Sequence, residues 1–216
     1  MKRKRVKTKD RILATALQLF NTQGLSKVSS KTISEVMGIS YGNLCYHYPK
    51  KDDIVIKLYL MMQEEVDEQF QNIQRDILGF DFVMTGLRLL LEMSRKYKFI
   101  YLDFTNIVRR FDKIRAYANR QFQTRKVLLK GICDFLITEQ YLQEETVSGH
   151  YDQLVHGWLL MFHTWLADAE IFYQGEEKDL ISYYLEMFYS SIRSSLTPKG
   201  LKAFNEIYKA KQTRQI

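Results

Sequence analysis

Apolar residues recur along this chain at intervals of three and four positions, and little interrupts them. Only 2 prolines and 10 glycines occur in 216 residues. Such spacing puts apolar side chains on one stripe of a helix, whereas a half-buried strand needs strict alternation. Proline breaks helices and glycine weakens them, so their scarcity lets long stretches stay helical. The expected fold class is all-α. With 46% hydrophobic and 13% aromatic residues, the chain can fill a sizeable core. Its length admits a small domain plus a larger one. No apolar run reaches the roughly 18–20 residues of a membrane span, so no membrane partner is expected. Basic residues 2–9 lead into a mixed segment at helical spacing, which does not read as an export signal. Cys45 and Cys133 form no CxxC pair, which favours a reducing cytoplasm over a disulfide framework.

Charge divides the chain. Of a formal net charge of +7, residues 1–52 contribute 11 Lys/Arg against 3 Asp/Glu, and residues 53–216 contribute 21 against 22. A basic module on a near-neutral body suggests that one part meets a polyanion and the other has a different task. The charge boundary sets the domain expectation: 1–52 as a polyanion-binding module with a basic arm, which the helix-turn-helix within it makes a DNA-binding one, and 53–216 as a helical body expected to bind ligand and dimerise.

Within the basic module a first helix is expected over 8–22, with Ile12, Leu13, Ala16, Leu17 and Phe20 on its apolar stripe and Gly24 as its stop. Ser29 or Ser30 suits the cap of a second helix carrying Ile33, Val36 and Met37. Gly38-Ile39-Ser40 reads as a tight turn. A short third helix follows over 41–48, ended by Pro49. Two short helices joined by a glycine-containing turn form the helix-turn-helix pattern. A long helix is expected from 51 or 52 past 70, then helices near 80–96, 99–110, 113–139, 147–173, 177–195 and 199–211.

Residues 8–54 resemble the N-terminal domain of the TetR/AcrR family of transcriptional regulators. The stretch RILATALQLFNTQG followed by TISEVMGISYGNLCYHYPKKDDI carries the likeness, through Phe20, Gly24, Ile33, Gly38-Ile39-Ser40, Gly42, Leu44, His47, Tyr48, Lys51 and Ile54. Three positions depart from the family pattern. Ser34 stands for Ala, Cys45 for Tyr, and Lys50 for a small capping residue. The resemblance implies a three-helix DNA-binding domain, a dimer formed by the last long helix pair, and a pocket for a small apolar or amphipathic ligand.

Leu44 and Tyr48 lie one turn apart and are expected in the small core. Ser40, Tyr41, Asn43, Tyr46 and His47 fall at the helix start or on other faces, where base edges and phosphates are met. Asparagine can bridge adenine N6 and N7. Lys51, at the next helix start, is expected on phosphate. The arm residues Lys2, Arg3, Lys4 and Arg5 suit phosphate or minor-groove contact, or serve as a solvated tail. In the body, Tyr101, Phe104, Trp158, Phe162, His163 and Trp165 are the ligand-pocket candidates, and an ordinary packed core explains most of them equally well. Leu159, Leu166, Tyr184 and Phe188 are the dimer-interface candidates, against an intramolecular core.

His156, His163 and Glu170 are spaced seven apart and drift along one helix face, too far apart to share an ion, so no metal is expected. Cys45 reads as an inert half-buried thiol rather than a redox switch, because no resolving cysteine lies nearby. The chain contains no Gly-rich phosphate loop, no HExxH and no GxSxG, so neither enzyme activity nor a cofactor is expected. The expected function is a homodimeric, ligand-responsive repressor on double-stranded operator DNA. An all-helical enzyme or a membrane-surface adaptor using the basic arm are the competing classes.

Overall fold

The computed structural model describes residues 7–74 and 79–213, which contain eleven α-helices and no strand. They are α1 Thr8–Gln23, α2 Ser30–Met37, α3 Tyr41–His47, α4 Lys51–Gln74, α5 Phe80–Lys96, α6 Lys98–Leu102, α7 Phe104–Arg110, α8 Asp112–Thr138, α9 His150–Phe172, α10 Leu180–Arg193 and α11 Pro198–Thr213. A 3-10 turn, Glu177–Asp179, precedes α10. The chain divides into two compact units. One covers the chain to Asp67 together with Met93–Arg115; the other covers Glu68–Glu92 and the chain from Ala116 onward.

The expected helix over 99–110 is two helices. Asp103 sits between them at φ −102° and ψ 14°, and its N–H turns back to the Phe99 carbonyl at 3.1 Å. In this bridge conformation Asp103 ends one helix and starts the next through its backbone, with no capping bond from its side chain. The helix expected from 147 begins instead at His150. There the Glu145 carboxylate accepts the N–H groups of Gly149 and Tyr151 at 3.0 and 2.9 Å. These two bonds hold its pKa below the usual carboxylate value. They satisfy helix-start donors that otherwise have no partner.

In the first unit, α1 buries Ile12, Leu13, Ala16, Leu19 and Phe20. Leu17, placed on this stripe by spacing, is only half-buried and Leu19 takes the inward position. The Phe20 ring meets Phe99 at 5.1 Å between centroids. Asn21 joins α1 to the α5–α6 corner: it donates to the Lys96 carbonyl at 2.8 Å and accepts from the Phe99 N–H at 3.0 Å. One amide thereby satisfies both a helix C-terminal acceptor and a helix N-terminal donor.

The core of the second unit is the α9–α10 pair. Trp158, Phe162 and Leu166 of α9 and Tyr184, Phe188 and Ile192 of α10 are all buried. Two polar contacts fix their register: Trp158 Nε1 donates to Ser191 Oγ at 2.7 Å, and Tyr184 OH donates to Asp168 at 2.6 Å. Burial of each large apolar side chain contributes about 1.5–3 kcal/mol. Helix α11 joins this core through Phe204, whose ring meets Phe80 and Tyr189 edge-on. Its first turn lies directly on the Tyr141 carbonyl: a Cβ on Gly200 would stand 1.9 Å from that oxygen, so only glycine fits there.

Candidate functional site

The helix-turn-helix is built by local capping. Ser29 Oγ accepts from the Thr32 N–H at 3.0 Å, and the Thr32 hydroxyl accepts from the Ser29 N–H, a reciprocal box that starts α2. Helix α2 stops at Gly38, whose φ of +65° and ψ of 33° are left-handed. A side chain there would be strained, so glycine is what allows the sharp reversal. Ser40 then caps α3 by accepting from the Asn43 N–H at 3.1 Å. Helix α3 ends at His47, just before Tyr48-Pro49.

This short helix has two faces. Leu44 is fully buried and Tyr48 is 4% exposed, anchoring α3 against the small core as its spacing predicts. Tyr41, Asn43 and Tyr46 face outward; Tyr46 is 84% exposed and Tyr41 54%. The Tyr46 and His47 rings meet edge-on at 5.2 Å, which fixes both at one end of the exposed face. Cys45 is a free, half-buried thiol between the two faces. The arm residues Lys2, Arg3, Lys4 and Arg5 lie outside the described residues.

Lys51 departs from the expectation of an ammonium aimed outward at phosphate. Its Nζ donates to the carbonyls of Leu25 and Val28, at 2.8 and 2.9 Å. These carbonyls belong to the loop between α1 and α2, so the side chain ties the start of α4 to that loop. Burial is the main cause holding its pKa below the usual lysine value, followed by the neighbouring Arg110. Beside it, Arg110 of α7 grips both oxygens of Asp52 at 2.8 and 2.9 Å. Both bonds come from one guanidinium nitrogen, Nη2, which sits between the two carboxylate oxygens.

The second unit holds an apolar cavity of about 50 Å³. Phe70 of α4 and Phe82, Val83, Gly86, Leu87 and Leu90 of α5 form part of its wall; Arg125, Leu128 and Leu129 of α8 and Trp158, Leu159 and Phe162 of α9 complete it. Of the pocket candidates, Trp158 and Phe162 line this space. His163 adjoins Phe162, with rings 5.4 Å apart. Trp165 instead packs on Tyr184 at 5.1 Å. Tyr101 and Phe104 belong to the other unit and do not line the cavity. The lining residues of α5 and α8 escaped the sequence reading. Their helical stripes were visible, but nothing in one sequence says which stripes face each other.

The four dimer candidates are corrected by their burial. Leu159, Leu166, Tyr184 and Phe188 are at most 4% exposed, so their side chains fill the interior of one chain. The outward apolar positions on the same helices are Leu160 and Ile171 of α9, with Tyr183 and Met187 of α10. Residues 160 and 171 are three turns apart, and 183 and 187 one turn, so each pair shares a face.

His163 makes a measurable prediction. Burial, and secondarily the Arg125 charge, push its pKa down from the usual 6.5 to about 4. The neutral ring is therefore the folded form, and the unfolded chain takes up a proton first as pH falls. The stability this group contributes is present above about pH 6.5 and is lost progressively down to about pH 4, by on the order of 3 kcal/mol. Urea unfolding at a series of pH values should show wild type losing more stability than His163→Gln across that window. Parallel profiles would remove the histidine from the acid response.

Comparison with known proteins gives two family matches. Residues 12–58 match the model described as bacterial regulatory proteins, tetR family, and residues 61–204 match the TetR model described as bacterial transcriptional repressor. Solved structures agree in fold. A TetR-family transcriptional regulator from Marinobacter aquaeolei VT8 superposes with a TM-score of 0.82 at 20% identity, covering 94% of this chain and 98% of that one. The ketosteroid transcriptional regulator KstR2 of Mycobacterium tuberculosis gives 0.67 at 14% identity, over 90% and 97% of the two chains. CprB, a TetR family protein from S. coelicolor A3(2), gives 0.68 at 13% identity, over 94% and 96%.

Proposed function

The chain belongs to the TetR family of bacterial transcriptional regulators, and from that membership we propose that it is a homodimeric, ligand-responsive repressor of double-stranded operator DNA. The observation that carries the reading is helix α3, whose Leu44 and Tyr48 are buried while Tyr41, Asn43 and Tyr46 point outward inside the basic part of the chain. Residues 1–52 read the DNA, and residues 53–216 dimerise and bind ligand. Asn43 reads a base edge in the major groove. Ser40, Tyr41, Tyr46 and His47 contact the backbone around it, with the arm Lys2, Arg3, Lys4 and Arg5 adding phosphate attraction. The two α3 helices of a dimer enter successive major grooves about 34–36 Å apart. The protein acts in the cytoplasm, where operator DNA is. Family and fold are those of transcriptional regulators rather than enzymes, and among the described residues no three His, Cys, Asp or Glu side chains group as metal ligands.

Dimerisation places Leu160, Ile171, Tyr183 and Met187 against the same residues of a second copy. All four are exposed apolar positions on two helices that pack on each other, and exposed apolar surface of this kind marks interaction sites. Ligand binding is assigned to the cavity lined by Trp158 and Phe162. A ligand changes operator affinity only if it binds the two shapes of the dimer unequally.

The test is selection of genomic fragments by the purified protein, then titration of the recovered operator and a scrambled duplex. Asn43→Ala should reduce discrimination between the two by about 1–3 kcal/mol, the worth of one good base contact. Thermal unfolding should be unchanged. Equal affinity of the wild-type protein for operator and scrambled DNA would defeat the proposal.

A further inference from the structure

Resting on the ligand-responsive reading, we infer that the natural ligand is an apolar molecule carrying one carboxylate, its apolar part in the cavity of the second unit and its head group on Arg125. Three observations converge. The cavity wall is apolar in every member except Arg125. The Arg125 guanidinium carbon stands 5.8 Å from the centroid of the Phe162 ring, which itself lines the cavity. No Asp or Glu among the described residues pairs with that guanidinium.

Arg125 is half-buried beside an apolar wall, and its guanidinium favours a counter-ion that can accept two parallel N–H bonds. A carboxylate does so in the plane of the fork. His163, next to Phe162, adds no charge near neutral pH because burial keeps its ring neutral. Of the lining residues Arg125 alone is charged, and a single negative head group matches it. A neutral apolar ligand would leave Arg125 as it is, and a cationic one would be repelled.

The cavity's size also constrains the ligand's action. Its volume of about 50 Å³ is roughly a third of the 150 Å³ cavity known to admit benzene. A chain of several carbons therefore needs more room than this space offers, either by displacement of wall side chains or by extension out of its mouth. Phe70 is on α4, the helix that starts four residues after α3 ends.

The experiment compares three probes of equal chain length, decanoate, decan-1-ol and protonated decylamine, by calorimetric titration of the full-length protein and of Arg125→Gln. Decanoate should bind wild type at least about tenfold more tightly than decanol, with decylamine weakest. Arg125→Gln should erase the decanoate advantage and leave decanol within about twofold. Decanol binding as tightly as decanoate, or Arg125→Gln weakening both equally, would overturn the head-group assignment while keeping the cavity as a ligand site. If none of the three probes binds wild type, the inference falls, and with it the assignment of ligand binding to this cavity.

Discussion

The double variant Leu160→Glu with Met187→Glu is expected to fold as a monomer and to lose operator binding. Both side chains are outward in the single chain, 58% and 47% exposed, so a charge there costs the monomer little. In the proposed dimer the glutamates would enter an apolar surface formed by the same set of residues from the partner. Four unpaired charges would enter a contact built for apolar burial, and an unpaired buried charge is among the most costly changes an interface can suffer. Operator binding falls with the dimer, because a single helix-turn-helix loses the gain from tethering two sites. That gain amounts to about 10²–10⁴ in affinity. Sedimentation velocity at micromolar concentration should give one monomeric species with wild-type helical circular dichroism. A double variant that remains dimeric would move the interface off this face. Charge at Leu159 or Phe188 would instead damage folding, since both are buried within one chain.

Lys51→Met should unfold earlier than wild type, by about 2 kcal/mol, and should weaken operator and scrambled DNA alike. The ammonium holds two loop carbonyls, of Leu25 and Val28. Hydrogen bonds to a charged group contribute about 1.5–3 kcal/mol, reduced here by partial exposure to water. Without them the loop between α1 and α2 loses its tie to α4, and the base of the DNA-reading unit loosens. The contrast with Asn43→Ala is the diagnostic. One variant should alter stability first, the other discrimination at constant stability. If Lys51→Met melts as wild type does and its salt dependence flattens by about one unit of slope, the ammonium serves phosphate instead.

Legibility from sequence followed the range of the interactions. The boundaries of α2 and α3 rest on contacts within four residues: the Ser29–Thr32 box, Gly38, and the Ser40 cap on Asn43. A short pattern contains all of that information. Lys51 was visible at a helix start, but its partners lie 26 and 23 residues earlier. Helix α9 has apolar neighbours in series, Leu159 beside Leu160, so periodicity alone does not choose which one faces inward. The structure buries the first and exposes the second. Asp103 breaks a segment whose apolar spacing runs on through it, at a backbone turn that the apolar pattern does not record. The cavity is the least legible feature, being the meeting of four helices.

A void of about 50 Å³ sets the sensitivity of any sensor built on it. If the proposed ligand needs more room than this void offers, it would engage only the fraction of molecules in which the wall has parted. Apparent affinity is the intrinsic affinity scaled by that fraction, so an open form populated at about 1% raises the half-saturating concentration about a hundredfold. Trace amounts of a metabolite would then leave repression in place, and only accumulation would release it. Under the proposed reading the lining rings Phe70 and Phe82 would act as a dose setting: trimming either one would lower the concentration at which the genes respond.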